Sequence, residues 1–173
     1  MCPPDAPALV ALEQRGIAIS ELYRVLANHP DALDAWTRFA WGLRGLSTTT
    51  RALKELLILR AVHKSGARYA WRDHVPMARQ AGVPDDWIAA LPDWAESPLF
   101  DAPTRAALAF ADELIEFGVA QDDQLEELGR FYSAEQVIEL TLTVSFYTMV
   151  PRVLNALRVP LGDDEVTGPA ASR

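Results

Sequence analysis

The sequence predicts an all-α fold, and three observations support this. Apolar side chains recur at steps of three and four residues through most of the chain, which is the spacing of helices with one buried face. Half of the residues are apolar and 23% are charged, a composition typical of a globular protein with a substantial core. Glycine, proline and hydroxyl-bearing residues separate the periodic segments, where helices begin and end.

The first 45 residues predict two helices. Residues 8–28 form one periodic segment, which should end before a His-Pro pair because the residue preceding a proline disfavours helical geometry. A second helix follows, with Asp31 available as its cap and Gly45 near its end. On this helix we expect Trp36 and Phe39 to face inward.

The next two helices should form a hairpin. Hydroxyl side chains at residues 47–50 can cap a helix that stops at Gly66, and a second helix then runs to Gly82. Pro76 lies inside this second helix, where its missing N–H should cause a kink and leave the carbonyl of Arg72 free. The sequence therefore predicts two antiparallel helices around a tight turn.

The rest of the chain predicts a long connection and three further helices. Residues 83–103 contain four prolines, so we expect only a short helix at residues 85–91. Amphipathic segments follow from Thr104, and Ser133 with Gln136 resembles a capping box before a long apolar helix. Four apolar residues of the connection would suit a subunit interface or a lid, with core packing as the alternative: Trp87, Trp94, Leu99 and Phe100.

Length and tail composition predict one domain. A chain of 173 residues fits a single core, so we expect one all-α domain over residues 1–161. Residues 162–173 are polar and lack periodicity, which favours a flexible tail.

Charge and hydropathy exclude several classes of partner. The net charge is -8 and no run of Lys or Arg forms a basic stripe, which argues against nucleic acid. No stretch approaches 18 uninterrupted apolar residues, and the N-terminus lacks the pattern of a secretory signal. We therefore expect no membrane association and a cytoplasmic location.

Cysteine and histidine usage argues against disulfides and metals. Cys2 is the only cysteine, so no intramolecular disulfide can form. The three histidines are His29, His63 and His74, and they lack the spacing of a zinc-binding helix. We expect no bound metal.

The predicted hairpin brings two side chains that could transfer protons, Glu55 and His74, close together. Glu55, Leu59 and His63 are spaced four residues apart, so they share one face of an otherwise apolar helix. If the hairpin turns at Gly66, Glu55 meets the level of His74 on the next helix, and the two can form a hydrogen bond. A carboxylate that orients an imidazole prepares it for proton transfer near neutral pH.

A purely structural alternative explains the same residues. Glu55 could pair with Arg51 or Arg60. His74 would then be a core histidine, and Tyr69 and Trp71 would be packing residues. Spacing alone leaves both alternatives open.

Two segments carry a resemblance to a known family. Residues 28–82, and the later residues 132–161, resemble the carboxymuconolactone decarboxylase and alkyl hydroperoxidase D family. The resemblance implies a helical bundle whose central hairpin carries the site. It also implies a homo-oligomer, a trimer or hexamer, that acts on a small-molecule substrate without a cofactor.

The family's peroxidase chemistry does not fit this sequence. In the hydroperoxidase branch a Glu is followed twelve residues later by Cys-x-x-Cys, and a His lies four residues beyond. Counting from Glu55 gives Ala67, Ala70 and His74, so both thiol positions are alanine. A cycle that needs an attacking and a resolving thiolate is excluded. Only residual activity through Cys2 alone remains as a peroxidase alternative.

The cysteine-free branch carries Tyr-Glu-Trp-x-x-His at this place. Residues 69–74 here read Tyr-Ala-Trp-Arg-Asp-His, so Ala70 stands where the family pattern has an acid. Three explanations stay open: an engineered replacement of a catalytic Glu, a natural variant in which Asp73 or Glu55 does that work, or a relative without catalysis.

The resemblance implies acid–base chemistry on a small, anionic organic molecule, by decarboxylation or a related isomerisation or elimination. His74 would move the proton, Glu55 would orient it, and Tyr69 would hydrogen-bond an oxyanion, with Ala70 as the altered position. Four further residues are candidates for binding substrate: Trp71, Arg72, Tyr147 and Arg152. The alternative function is a non-catalytic oligomeric protein that binds a small molecule.

Overall fold

The computed structural model describes residues 6–160, and all regular structure in that range is helical. The predicted all-α class is confirmed. Within that range the helices follow in the order α1 (Pro7–Gln14), α2 (Glu21–Leu26), α3 (Pro30–Gly45), α4 (Arg51–Lys64), α5 (Arg68–Gln80), α6 (Asp85–Ala90), a 3-10 turn (Leu91–Asp93), α7 (Ala102–Phe117), α8 (Asp122–Gly129) and α9 (Ala134–Ala156).

The described residues form two compact units. The first comprises residues 6–45 and 152–160, and the second comprises residues 46–151. The expectation of one domain over residues 1–161 stays a prediction. Cys2 and the tail at residues 162–173 lie outside the described residues.

In the first unit, a glycine divides the segment for which the sequence predicts one helix. The single helix over residues 8–28 is wrong, because Gly16 adopts a φ of 74° and its N–H donates to the carbonyl of Glu13 at 2.8 Å. A left-handed residue ends a helix, and glycine adopts this conformation without steric cost. α2 then starts anew, with the Ser20 hydroxyl accepting from the N–H of Tyr23 at 3.3 Å.

α3 differs from the prediction in its cap and in its buried face. The N–H of Ala32 donates to Nδ1 of His29 at 3.3 Å, so His29 caps the helix and Asp31 lies inside the first turn. Phe39 is 46% exposed, and Trp36 is half-buried, so the expected inward orientation is wrong for Phe39. The buried residues of α3 are Leu33, Thr37 and Leu43.

The second unit contains the predicted hairpin. Thr50 caps α4 by accepting from the N–H of Leu53 at 3.2 Å, and Gly66, with a φ of 65°, lies in the turn before α5. α4 and α5 pack against each other. Helix α5 continues past Pro76, whose missing N–H leaves the carbonyl of Arg72 without its usual helical donor.

Two aromatic side chains of the long connection, Trp94 and Phe100, are buried in the core. Trp94 is 9% exposed and donates through Nε1 to Oδ2 of Asp112 at 3.0 Å. Phe100 is 4% exposed and packs edge-on against Trp87, with ring centroids 5.1 Å apart. Only Leu99, at 41%, is strongly exposed among the four residues proposed as an apolar surface. For Trp94 and Phe100, core packing is therefore the correct alternative.

α9 begins with the predicted capping box. The N–H of Ser133 donates to Oε1 of Gln136 at 2.9 Å, and the N–H of Gln136 donates to the Ser133 hydroxyl at 3.3 Å. Of the described helices, α9 is the one whose length and apolar composition would allow it to cross a membrane. Half of its most apolar window is buried inside the protein.

Candidate active site

The hairpin joins Glu55 of α4 to His74 of α5. Glu55 is fully buried and His74 is 7% exposed. Nδ1 of His74 lies 2.7 Å from Oε2 of Glu55, so the hydrogen bond expected from spacing is present. A turn at Gly66 brings together residues at similar distances on either side of it, which explains this contact.

Arg51 completes the environment of the carboxylate. It lies one turn before Glu55 on α4 and donates through Nη2 to Oε1, so both carboxylate oxygens are engaged. Burial alone raises the pKa of Glu55, but the hydrogen bond and charge of His74, together with Arg51, lower it below its ordinary value. Glu55 is therefore ionised at neutral pH. Arg60, the other proposed partner, instead binds Asp112 at 2.6 Å.

The ionised state of Glu55 decides which nitrogen of His74 carries the proton. An ionised carboxylate only accepts hydrogen bonds, so Nδ1 of His74 must donate. In the neutral imidazole the lone pair then lies on Nε2. Glu55 thus orients His74, and Nε2 is the nitrogen available for chemistry.

Tyr147 of α9 forms another wall of the site. Its ring meets that of His74 edge-on, with centroids 4.8 Å apart and an angle of 86° between the planes. Tyr147 is 8% exposed and also packs edge-on against Phe146, at 5.2 Å. The structure therefore brings three of the proposed residues together, one each from α4, α5 and α9.

Tyr69 and Arg72 form a neighbouring group on α5. The guanidinium carbon of Arg72 lies 5.0 Å from the centroid of the Tyr69 ring, a cation–π arrangement. Nε of Arg72 lies 3.4 Å from Oδ1 of Asp73, and 27% of the Arg72 side chain is exposed. The guanidinium is thus held by its neighbours yet still reachable by a ligand, and its binding role stays a prediction.

Ala70 is buried one helical turn before His74. Its exposed fraction is 4%, so the methyl group faces the interior of the second unit. Residues four apart on a helix share a face, so an acid at this position would lie beside the imidazole. The structure offers Asp73, the neighbour of His74, as a half-buried carboxylate on the same helix.

Trp71 lies inside the hairpin and packs against His63. The ring centroids of Trp71 and His63 are 5.8 Å apart, and Trp71 is 7% exposed. Both ring nitrogens of His63 are buried without a hydrogen-bond partner among the described residues. Burial first, and the charge of Arg60 second, lower the pKa of His63 and keep it neutral. The binding role proposed for Trp71 stays a prediction.

Arg152 is exposed and belongs to the first unit, so its contact with a substrate carboxylate stays a prediction. Across residues 6–160, no group of three or more His, Cys, Asp or Glu side chains is placed to hold a metal ion.

A buried charge cluster joins α9 to the start of α4, and the sequence reasoning missed it. Nζ of Lys54 lies 2.7 Å from Oε1 of Glu139, and the N–H groups of Thr48 and Thr49 donate to Oε2 at 2.9 and 3.2 Å. Lys54 also donates to the carbonyl of Leu46. Burial raises the pKa of Glu139, but its hydrogen bonds, with Lys54 first, lower it to about 2. Charged residues inside apolar helical runs were the available signal.

A cavity of about 350 Å³ lies elsewhere in the second unit. Residues of α4 and α7 and of the segment after α5 line it, including Leu53, Leu56, Trp87 and Thr104. Neither Glu55 nor any residue of α5 is part of this lining, so the cavity is distinct from the site around His74.

A family model matches the part of the chain that carries Glu55 and His74. Residues 30–113 match the profile of the carboxymuconolactone decarboxylase family. Over these residues the chain is similar to that family. The match includes Glu55, Tyr69, Ala70 and His74, whereas Tyr147 lies beyond it. The comparison with curated proteins gives no match.

Several solved structures have a fold similar to that of this chain. A protein of unknown function from Agrobacterium tumefaciens, assigned provisionally to the antioxidant defence protein AhpD, is 26% identical, with a TM-score of 0.70 over 78% of this chain and 93% of the other. A peroxidase-related protein from Ralstonia eutropha, described as an alkylhydroperoxidase AhpD core, is 16% identical, with a TM-score of 0.76 over 94% and 88%.

A third structure is a cysteine-to-alanine variant of the debrominase Bmp8 in complex with 2,3,4-tribromopyrrole. It is 20% identical to this chain, with a TM-score of 0.73 over 91% of this chain and 84% of the other. At 16% and 20% identity, the Ralstonia protein and the debrominase share the fold, and their activities are not transferred to this chain.

Proposed function

We propose that this chain is a cofactor-free acid–base enzyme of the carboxymuconolactone decarboxylase family, of the cysteine-free branch, in which His74 transfers the proton. One observation carries the proposal: the buried hydrogen bond of 2.7 Å between His74 and Glu55. Because His74 first, and Arg51 second, lower the pKa of Glu55, the carboxylate is ionised, holds Nδ1 and directs Nε2 to the substrate.

The proposed reaction is decarboxylation, or a related isomerisation or elimination, of a small anionic molecule. In decarboxylation the bond between the carboxylate and a carbon next to, or conjugated with, a carbonyl breaks, carbon dioxide leaves, and the electron pair of the bond forms an enolate. The protonated imidazole then gives the Nε2 proton to that carbon, and the neutral imidazole regains a proton from solvent. Glu55 stays ionised throughout and stabilises the imidazolium.

Neighbouring residues would bind the substrate. Tyr69 is proposed to donate a hydrogen bond to the enolate oxygen, and Arg72 to hold a carboxylate with its guanidinium. The partial exposure of Arg72 above the Tyr69 ring supports this role. Trp71 and Tyr147 would form apolar walls, and Arg152 is a further proposed contact for a carboxylate.

The absence of thiols argues against the family's peroxidase chemistry. Cys2 is the only cysteine, and alanine occupies positions 67 and 70, where the peroxidase pattern has thiols. Ala70 also favours a second candidate function, a non-catalytic protein that binds a small molecule at the same site. The two functions differ in turnover rather than in binding.

The test measures release of carbon dioxide from carboxymuconolactone, the compound in the family's name, across a range of pH. The proposal expects a bell-shaped profile, and His74→Ala should lower kcat/KM by about 100- to 10,000-fold. His29→Asn is the control, since this exposed histidine caps α3 and asparagine keeps a capping oxygen. Binding without turnover in the unaltered protein would favour the second function, and full activity of His74→Ala would reject the first.

We further propose that the protein is a homo-oligomer, a trimer or hexamer, that works in the cytoplasm. Support for assembly comes from α9, where Ile138, Leu142 and Met149 lie at helical spacing and are 61%, 38% and 38% exposed. A row of exposed apolar side chains on one helix face is typical of a surface that another protein covers.

A further inference from the structure

We propose that the buried ion pair of Lys54 and Glu139 positions Tyr147 against His74. Lys54 and Glu139 would therefore be positioning residues, which touch no substrate and act through α9. The inference deepens the proposed function and rests on it, because the position of Tyr147 matters only if His74 does the chemistry.

Lys54 and Glu139 attach α9 to α4. Glu139 is 2% exposed and Lys54 is 3% exposed. The carboxylate receives the ammonium group of Lys54 on one oxygen and the N–H groups of Thr48 and Thr49 on the other. Donors from two directions fix both the height and the rotation of α9 at this point.

The rotation of α9 at Glu139 determines where the Tyr147 ring lies. Tyr147 follows Glu139 by eight residues, which is about two turns, or roughly 12 Å along a helix. Glu139, Thr143 and Tyr147 are spaced four apart and are all buried, so they lie on the same side of α9. A rotation of the helix at Glu139 would therefore carry the Tyr147 ring away from its position.

The groups that hold α9 and His74 are neighbours on α4. Lys54 directly precedes Glu55, so one turn of α4 holds both the ammonium group that binds α9 and the carboxylate that binds Nδ1 of His74. The imidazole meets Glu55 at 2.7 Å and the Tyr147 ring at 4.8 Å. The attachment at Lys54 thus sets the space in which the imidazole lies.

An apolar pair at these positions would lack this specificity. Aliphatic side chains such as Leu140 and Val144 form much of the remaining buried face of α9, and aliphatic surfaces tolerate more than one rotation. Replacing a buried ion pair by apolar residues of similar size often keeps or raises stability, while a polar pair can fix a single register. Stability and geometry can therefore be separated by substitution.

The experiment uses the full chain without substrate and records NMR shifts of the His74 ring protons. The nearby Tyr147 ring changes the shifts of these protons through its ring current. Tyr147→Leu removes that ring, so this variant gives the shifts expected without it. In the double variant Lys54→Met/Glu139→Leu we expect the His74 shifts to move most of the way to the Tyr147→Leu values. The midpoint of thermal unfolding should stay close to that of the unaltered protein.

A matched control and a milder variant complete the test. Lys64→Met/Glu116→Leu removes an exposed ion pair between α4 and α7 and should leave the His74 shifts unchanged. Glu139→Gln keeps the size of the side chain and loses the charge, so it should give a smaller shift in the same direction. If the double variant does not fold, Glu139→Gln decides the question.

Unchanged His74 shifts in a folded Lys54 or Glu139 variant would overturn the inference. The readout needs no turnover, so absence of activity in the unaltered protein would reject the proposed function and leave the structural result intact. Where turnover is measurable, a positioning role predicts a lower kcat with little change in KM.

Discussion

A buried carboxylate is stable at position 55 because two cationic or hydrogen-bonding partners meet it. Arg51 lies one turn earlier on α4, and His74 lies across the hairpin. An ionised side chain without such partners would not remain inside an apolar helix bundle. The same two contacts make Glu55 an orienting group and occupy the oxygens that a substrate would otherwise use.

The first prediction concerns Glu55→Gln, which should destabilise the fold by about 2 kcal/mol at neutral pH because it removes charged hydrogen bonds. The folded-state pKa of Glu55 is lowered, so its stabilisation is present above the unfolded value of 4.5 and is lost as pH falls through the folded value. Urea unfolding should show the difference between the two proteins shrinking below pH 4.5.

A surface pair provides the control for this prediction. Asp34→Asn removes the exposed ion pair with Arg38, which should change stability by less than about 1 kcal/mol. A difference between the Glu55 variant and the unaltered protein that stays constant with pH would contradict the prediction.

The second prediction concerns Ala70. Ala70→Glu places a carboxylate one turn before His74, where it can exchange protons with the imidazole or the substrate. We expect it to create or raise turnover of carboxymuconolactone, or to change ligand affinity, relative to Ala70→Gln, which has the same size without the acid. Identical behaviour of the two variants would show that position 70 does not hold the missing acid.

Much of the site could be predicted from individual residues, because its main contact lies within one hairpin. Glu55 and His74 are joined through one hairpin, so the spacing from a recognisable turn predicts their contact. Lys54 and Glu139 meet through the packing of helices far apart in sequence, and no spacing rule indicates which residue of α9 faces α4. Buried charges in apolar runs show that a partner exists, without showing which one.

At the scale of helices, caps and glycines decided where the predictions held. The starts at Thr50 and Ser133 were correct because hydroxyl caps are local signals. The single helix over residues 8–28 was wrong because apolar spacing continues across Gly16, and spacing alone does not show that a glycine is left-handed. The exposure of Phe39 depends on tertiary packing, which periodicity does not fix.

The third prediction compares two glycines of the first unit. Gly16→Ala should destabilise the protein by about 1–2 kcal/mol, because a φ of 74° is strained for a residue with a side chain. Gly42→Ala lies inside α3 with open space around it and should stabilise the helix by roughly 0.5–1 kcal/mol. Thermal unfolding measures both, and equal stability of the two variants would contradict this account of the α1–α2 break.

At the scale of the whole molecule, the similarity to one family over residues 30–113 and the exposed side of α9 bear on assembly. The apolar row of Ile138, Leu142 and Met149 would be costly in a monomer, and subunit contact would remove it from water. The comparisons show the fold and a similarity to one family over residues 30–113, so assembly has to be measured.

The fourth prediction is that Ile138→Lys/Leu142→Lys lowers the molar mass measured by light scattering after size-exclusion chromatography. Charged side chains in a contact between subunits would be desolvated at high cost, so the oligomer should dissociate. Leu125→Lys is the matched control, because Leu125 is a similarly exposed leucine, at 41%, on a different helix, α8. A monomeric unaltered protein, or dissociation by the control alone, would contradict the proposed interface.

The most direct test of the central claim is the tautomer of His74, measured by ¹⁵N NMR of the imidazole. If Glu55 orients His74 for proton transfer, the neutral ring carries its proton on Nδ1, and the lone pair on Nε2 is free for the substrate. Glu55→Gln should weaken this preference. A neutral His74 with its proton on Nε2, unaffected by Glu55→Gln, would contradict the account.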